Sequence, residues 1–230
     1  MNNPVCVALD SPDYSEVERL AFITEPYAGM FKVGLMAFAA NGPGLVRTLG
    51  RMKPVFVDLK LHDIPAQVAG TVAAVSALGA EFLTVHASGG AEMVSEAVKA
   101  ADGRLKILAV TLLTSIDDRL LEATGARGPA AEHVLRLASL ALEAGAPGLV
   151  CSPLEVARLR SEFGSVEAGG PLLVVPGIRP PGSEPGDQRR TMGPRAAIDG
   201  GADVIVVGRP ITAATDPAEA ARRIKEEVMA

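Results

Sequence analysis

The fold is decided by a short stretch of sequence, Val55-Phe56-Val57-Asp58-Leu59-Lys60-Leu61-His62-Asp63-Ile64-Pro65. Its first residues are β-branched and aromatic, which is typical of a strand buried on both faces in a parallel sheet. Pro65 is favoured in the first turn of a helix, and the helix that it begins is predicted to run through Leu78 and to end at Gly79. The stretch is therefore one strand–helix unit with a charged turn between its two elements.

Strand-like runs of this kind recur along the chain. They are nearly continuous in apolar residues and alternate with longer helical segments, as expected of parallel strands that are covered on both faces. The eight predicted strands are Val5–Leu9, Phe31–Gly34, Val55–Leu59, Phe82–His86, Ile107–Thr111, Gly148–Cys151, Leu172–Val175 and Val204–Val207.

The segments between the strands carry helix signals. The predicted helices follow Pro12, lie near Pro43–Leu49, and span Pro65–Leu78, Pro129–Glu143, Pro153–Phe163 and the segment from Asp216-Pro217 onward. A glycine can end a helix in the left-handed conformation and turn the chain back into the sheet. Such a glycine stands just before three strands, in the pairs Gly79-Ala80, Gly145-Ala146 and Gly201-Ala202.

Eight strand–helix units fit the length of the chain. The 230 residues allow about 29 per unit, as a compact α/β protein of the (β/α)₈ TIM-barrel type requires. A doubly wound open sheet would have a glycine-rich turn after its first strand, where this chain has Asp10-Ser11-Pro12-Asp13. The sequence therefore predicts a single barrel domain over residues 1–230.

Composition narrows the class of function. A net charge of -5 and an aromatic content of 3% argue against a nucleic-acid binder, which needs basic patches and stacking platforms. No apolar run approaches the roughly 20 residues that span a membrane, and no export signal is visible. Cys6 and Cys151 lie in apolar runs and are expected to be buried thiols of a reducing compartment. We expect a cytoplasmic protein with no nucleic-acid or membrane partner.

Polar residues stand repeatedly at the predicted strand ends, where barrels carry their catalytic groups. Asp58 and Lys60 are two residues apart and therefore project to the same side of a strand. A single charge of this kind can be a solvated strand end. A set of lysines and aspartates at one mouth is costly to desolvate unless the opposite charges pair alternately, and proteins keep such sets mainly for function. A lysine flanked by carboxylates is protonated and can act as a general acid. The strand-end residues are Asp10, Lys32, Asp58, Lys60, His86 and Thr111.

A second constellation follows the last two strands. The run from Val174 to Arg179 leads into a long polar loop that continues to Arg190, and the last strand ends in Gly208-Arg209-Pro210. The loops after strands seven and eight are where barrels commonly bind phosphate. Glycine and proline at the ends of the long loop are typical of a lid, from which Gln188 could reach a phosphate or a base.

Taken together, these motifs resemble the orotidine 5'-phosphate decarboxylase family over nearly the whole chain. The tail motifs resemble its bacterial branch. The residues that carry the resemblance are Ala8-Leu9-Asp10, Phe31-Lys32-Val33-Gly34, the Asp-x-Lys-x-x-Asp-Ile-Pro signature at 58–65, Leu113-Thr114-Ser115, Pro176-Gly177-Ile178-Arg179, Gly186-Asp187-Gln188-Arg189-Arg190 and Val207-Gly208-Arg209-Pro210.

The resemblance implies decarboxylation of orotidine 5'-monophosphate to uridine 5'-monophosphate, without a metal or organic cofactor, by a homodimer of barrels. It implies that Lys60 protonates C6 of the pyrimidine and that Asp58 lies beside the substrate carboxylate. Asp63 would reach into the partner's site and complete a charge network with Lys32. The remaining implied substrate contacts are Asp10 and Lys32 to ribose, Thr114 or Ser115 to the pyrimidine, Arg179, Gln188, Gly208 and Arg209 to phosphate, and Ile64, Gln67 and Pro176 elsewhere in the site.

One position departs from the family pattern, and other functions compete. Gln67 stands where bacterial relatives usually carry threonine, which puts the hydroxyl contact expected there in doubt. The nearest alternative is a Mg²⁺-dependent sugar-phosphate decarboxylase or aldolase of the same superfamily. Such enzymes share the signature but have a carboxylate where this chain has Lys32, and a lysine there would repel the metal. A barrel that only binds nucleotides is a further alternative, which the intact Asp58, Lys60 and Asp63 set disfavours.

Overall fold

A computed structural model describes residues 3–126, 128–181 and 190–230. The strands within these ranges are β1 (Val5–Ala8), β2 (Met30–Gly34), β3 (Val55–Leu61), β4 (Phe82–His86), β5 (Lys106–Val110), β6 (Gly148–Val150), β7 (Leu172–Val175) and β8 (Val204–Val207). All pair in parallel and in chain order, and β8 closes against β1. The predicted (β/α)₈ barrel is confirmed, with strand ends within about two residues of their predicted positions.

Helices follow the strands around the barrel. They are α1 (Tyr14–Thr24), α2 (Leu35–Asn41), α3 (Pro43–Gly50), α4 (Pro65–Ser76), α5 (Ala91–Ala101), α6 (Asp118–Ala123), α7 (Ala130–Glu143), α8 (Val156–Phe163), α9 (Pro194–Asp199), α10 (Arg209–Thr212) and α11 (Pro217–Met229). The Asp13 carboxylate accepts hydrogen bonds from the backbone N–H groups of Ser15 and Glu16 and so caps α1. Of the helices described, none is both long and apolar enough to cross a membrane.

The core has two layers. The larger one fills the space between strands and helices, and a smaller one fills the barrel interior. Phe56 and Phe82 meet edge to face inside the barrel, with ring centroids 5.9 Å apart. Cys6 lies in this interior layer and Cys151 in the outer one, and both are buried free thiols as predicted. The barrel interior is therefore a packed core rather than a pore.

The three predicted glycine turns are confirmed. Gly79, Gly145 and Gly201 have φ angles of 79°, 92° and 105°, which residues with a Cβ rarely adopt. Each glycine stands between the end of a helix and the next strand. These turns keep the connections short, and short connections let eight units fit in one compact chain.

The second connection differs from the prediction. The sequence predicts one helix near Pro43–Leu49, whereas the structure has both α2 and α3, separated by Gly42 at φ 69°. The helix α2 starts directly where β2 ends and buries only Ala37. It therefore lacks the apolar stripe by which a helix is recognised in a sequence.

Candidate active site

A cavity of about 810 Å³ opens at the carboxyl ends of the strands. Its walls come from the ends of β1, β2 and β3 on one side and from the loops after β5, β7 and β8 on the other. The predicted site residues that line it are Asp10, Lys32, Asp58, Lys60, Thr114, Ser115, Pro176, Arg179, Gly208 and Arg209. The structure thus brings together residues from both sequence constellations.

Opposite charges alternate along the floor of the cavity. Lys32 Nζ lies 2.9 Å from both carboxylate oxygens of Asp10 and 3.5 Å from Asp58 Oδ2. Lys60 Nζ donates to the same Asp58 oxygen at 2.8 Å. The chain of charges therefore runs Asp10, Lys32, Asp58, Lys60, with Asp58 between two ammonium groups.

The two inner members of this array are almost fully buried, with Lys32 7% and Asp58 8% exposed. Burial disfavours the ammonium of Lys32, but the charges of Asp58 and Asp10 outweigh it and raise the Lys32 pKa above its ordinary value. Burial likewise disfavours the carboxylate of Asp58, but Lys32 and Lys60 outweigh it and lower the Asp58 pKa. Both groups are therefore charged at neutral pH, and the site carries a fixed field.

A local irregularity of β3 aims Lys60 at Asp58. Lys60 has φ 51°, a left-handed conformation that is uncommon without glycine, and the pairing of β3 with β4 shifts register between Val57 and Leu61. The backbone N–H of Lys60 donates to Thr84 Oγ1 at 2.8 Å, and that hydroxyl donates to Asp58 Oδ1 at 3.0 Å. The prediction that Asp58 and Lys60 share one side is confirmed, but a bulge held by Thr84 achieves it rather than regular strand alternation.

Gly34 leaves room for the outer pair of charges. A Cβ on this residue would lie 2.3 Å from Asp10 Oδ1 and 2.8 Å from Lys32 Nζ. The backbone N–H of Gly34 instead donates to Asp10 Oδ1 at 3.0 Å. Any larger residue there would displace the ends of the Asp10 and Lys32 side chains.

The opposite wall offers backbone and guanidinium donors. Gly177 has φ 83°, and the following loop base is closed by a hydrogen bond from Arg179 N to Met192 O at 2.9 Å. Gly208 is the residue before α10, and Arg209 is its first residue. This wall therefore places two arginines beside the mouth of the cavity, across from the carboxylates.

Comparison with known proteins agrees with this geometry. The model of the orotidine 5'-phosphate decarboxylase / HUMPS family matches residues 3–224. The chain belongs to this family.

Relatives within the family align with nearly the whole chain. The orotidine 5'-phosphate decarboxylase of Anaeromyxobacter sp. (strain K) is 53% identical over 221 residues, which are 96% of each chain. That of Thermobifida fusca (strain YX) is 49% identical over 230 residues, covering 99% of this chain and 97% of the relative. The crystal structure of the enzyme from Lactobacillus acidophilus superposes with a TM-score of 0.86 at 39% identity, covering 99% of this chain and 100% of that one.

Some residues of the family signature lie away from the cavity of the single chain. Asp63, Ile64 and Gln67 are exposed and do not line it, and Ile64 is 64% exposed. Asp63 Oδ1 accepts a hydrogen bond from the N–H of Ile64 at 2.6 Å. The turn after β3 points these three side chains away from the cavity of their own chain, so their contacts with substrate, and that of Asp63 with a partner's site, stay predictions. Gln188 lies outside the described residues.

Two structural features of the site were not predicted from the sequence. Thr84, in the middle of β4, hydrogen-bonds to the N–H of Lys60 and to the Asp58 carboxylate and so positions both residues. In the sequence it cannot be told from any other threonine of a strand. Glu155 and Arg190 form a buried ion pair behind the loop that carries Thr114 and Ser115. Their separation in sequence gives no local signal, although Arg190 belongs to the quoted family motif.

Two of the histidines, His62 and His86, lie close together. Their ring centroids are 5.4 Å apart. Burial lowers the pKa of His86, and the neighbouring His62 and Lys60 lower it further. Among the described residues no group of three or more His, Cys, Asp or Glu side chains is arranged to hold a metal ion.

Proposed function

We propose that the protein converts orotidine 5'-monophosphate to uridine 5'-monophosphate and CO₂ in pyrimidine biosynthesis, with Lys60 as the proton donor. It is a carboxy-lyase of the orotidine 5'-phosphate decarboxylase family. The single observation that carries the assignment of roles is the Asp10–Lys32–Asp58–Lys60 array on the floor of the cavity.

The chemistry needs a fixed cation at the reacting carbon. When the bond from C6 to the carboxyl carbon breaks, the electron pair stays on C6 and no conventional electron sink accepts it. The Lys60 ammonium stabilises this carbanion electrostatically and then transfers its proton to C6. Water returns a proton to Lys60 after the product leaves.

Asp58 holds that ammonium in place and meets the substrate carboxylate. The 2.8 Å contact from Lys60 Nζ to Asp58 Oδ2 supports the first role. Because Asp58 stays ionised, a substrate carboxylate beside it is repelled until CO₂ departs. Lys32 offsets the second negative charge, since its Nζ is 3.5 Å from Asp58.

The remaining contacts orient the nucleotide. Asp10 and Lys32 hold the ribose hydroxyls, and Thr114 or Ser115 contacts the pyrimidine. Pro176 lines the wall beside the base. Each of these side chains borders the same cavity, which supports one continuous binding site.

The phosphate binds on the opposite wall. Arg179, Arg209 and the backbone of Gly208 hold it, with Gln188 reaching over from the loop after β7. The presence of two guanidinium groups at the mouth supports this, because arginine matches phosphate oxygens in a planar fork. Binding energy from this remote group can be used to align the pyrimidine at Lys60.

The working enzyme is a homodimer in the cytoplasm. Asp63 reaches from one subunit into the site of the other, with Ile64 and Gln67 beside it. The exposure of Asp63 and Ile64 in the single chain supports this, since an apolar side chain that is 64% exposed next to a catalytic signature suits a covered interface. The net charge of -5 fits an enzyme without a nucleic-acid partner.

Absorbance of orotidine 5'-monophosphate in the presence of EDTA tests the assignment. We expect the purified protein to remove this absorbance at an unchanged rate in EDTA, because two ammonium groups flank Asp58 and repel a divalent cation. A rate that vanishes in EDTA and returns with Mg²⁺ would instead identify a metal-dependent relative. No turnover with or without Mg²⁺ would refute the enzyme assignment.

A further inference from the structure

A buried ion pair joins two loops behind the active-site wall. Arg190, in the loop after β7, and Glu155, in the loop after β6, are 9% and 8% exposed. The guanidinium of Arg190 donates through Nη1 to Glu155 Oε1. Burying two charges is costly, so a pair of this kind contributes more to fixing a geometry than to stability.

The same guanidinium also holds a third loop. Arg190 Nη2 donates to the backbone carbonyl of Leu113 at 2.9 Å. That carbonyl accepts a second hydrogen bond from Ile116 N at 3.0 Å, which closes the turn containing Thr114 and Ser115. One planar group therefore fixes the turn that faces the pyrimidine side of the cavity.

Arg190 is itself anchored to the phosphate side. Two residues further on, Met192 pairs with Ile178, and its carbonyl accepts the N–H of Arg179 at 2.9 Å. Arg190, which hydrogen-bonds to the turn at Thr114 and Ser115, is thus only two residues from Met192, which closes the base of the loop that carries Arg179.

We propose that Arg190 is a positioning residue that keeps the turn of Thr114 and Ser115 in register with the phosphate-binding loop after β7. This inference rests on the proposed function, because it assigns the two loops to the pyrimidine and the phosphate of one substrate. Through its hydrogen bonds Arg190 couples the position of the phosphate-binding loop to the position of the turn at the pyrimidine. A misplacement of the pyrimidine by about 1 Å costs on the order of a hundredfold in rate. Arg190 does not line the cavity, so it acts on the substrate through the two loops.

The structure offers a matched control. Arg160 is also largely buried, forms an ion pair with Asp203 and donates to the carbonyls of Gly201 and Pro171 at 2.8 and 2.7 Å. These contacts lie before β7 and β8, at the end of the barrel opposite the cavity. Arg160→Met therefore removes a largely buried, ion-paired guanidinium, as Arg190→Met does, but leaves the active-site loops unchanged.

The experiment compares kcat, the Kd of uridine 5'-monophosphate and the Tm of these variants. Arg190→Met should lower kcat roughly 10- to 100-fold and change the product Kd less than about threefold, because the phosphate contacts remain. Arg160→Met should lower Tm and leave kcat within about twofold of wild type. The double variant Arg190→Met with Glu155→Leu replaces the buried pair by apolar side chains and should recover Tm but not kcat.

The outcomes distinguish failure of the role proposed for Arg190 from failure of the proposed function. Wild-type kcat in a folded double variant would overturn the role of Arg190, as would equal loss of kcat in the Arg160 control. A wild-type protein that does not turn over orotidine 5'-monophosphate would refute the proposed function and the coupling with it. If Arg190→Met fails to fold, the double variant alone decides between these results.

Discussion

Asp58 is the residue on which the charges of the site converge. Its two oxygens accept from different groups, Oδ2 from Lys60 and Oδ1 from the hydroxyl of Thr84. Thr84 also accepts the N–H of Lys60, so one hydroxyl controls both the carboxylate and the backbone that carries the ammonium. A residue outside the cavity lining thus sets the geometry of the proposed proton donor.

Thr84→Val tests this control. Valine keeps the shape but leaves the N–H of Lys60 without its acceptor and Asp58 without a donor, at a cost of about 1–3 kcal/mol in stability. We expect kcat to fall at least about tenfold while nucleotide binding persists. The measurement is steady-state decarboxylation alongside urea denaturation.

Thr111→Val is the matched control. Thr111 is also buried, and its hydroxyl donates to Val150 O at 3.1 Å, a carbonyl that the N–H of Thr111 already occupies. This variant should keep kcat near the wild-type value. Equal kcat in both valine variants would argue that Thr84 has only a structural role.

At the residue scale the sequence predicted the charged groups of the site but not the residues that position them. Asp58, Lys60, Lys32 and Asp10 were predictable because strand ends of a parallel barrel converge, whatever the details of packing. Thr84 was not, because its role depends on a register shift between β3 and β4 that no local pattern encodes. The left-handed backbone of Lys60 has the same origin.

The junction of β2 and α2 is the element that most constrains the site. The strand passes into the helix at Gly34 without a loop, next to the Asp10–Lys32 pair. Strands were predicted well because buried parallel strands are continuous apolar runs. The helix α2 was missed because its exposed Leu35 and Met36 break the helical apolar stripe.

Gly34→Ala should damage this junction. The added Cβ would meet Asp10 Oδ1 and Lys32 Nζ at distances that real Cβ atoms essentially never show, so both side chains must shift from their present positions. We expect kcat/KM to fall and stability to drop by about 1–3 kcal/mol, the usual cost of overpacking. Steady-state kinetics and denaturation midpoints measure the two effects.

Gly44→Ala provides the comparison within α3. A Cβ on Gly44 would meet nothing within 4 Å, and the residue is helical and exposed. Alanine there should leave kcat/KM unchanged and stabilise the helix by up to about 1 kcal/mol. Unchanged kcat/KM in Gly34→Ala would contradict the steric account of the Asp10–Lys32 pair.

Closure of the barrel brings segments that are far apart in the sequence together in one site. Residues near position 10, near 58 and near 209 meet because β8 pairs with β1. Although the chain has a net charge of -5, closure brings Lys32, Lys60, Arg179 and Arg209 to one mouth, where we expect them to attract an anionic nucleotide. A single chain leaves Asp63 outside this mouth, which is the basis for proposing a second subunit.

Hybrid dimers test that proposal. Asp63→Ala and Lys60→Ala subunits are each expected to be inactive as homodimers. If the partner subunit's Asp63 completes each site, equal mixing with exchange should restore about a quarter of wild-type activity, since half of the dimers are hybrids with one complete site. No recovery, with exchange verified by mass, would mean that each site is built from one chain.

The turnover of Lys60→Ala tests the central claim most directly. Absorbance of orotidine 5'-monophosphate should persist in its presence, while titration shows that uridine 5'-monophosphate still binds, because the ribose and phosphate contacts lie elsewhere in the cavity. This result would establish Lys60 as the group that makes decarboxylation possible. Substantial residual decarboxylation by a folded Lys60→Ala protein would contradict its assignment as the proton donor.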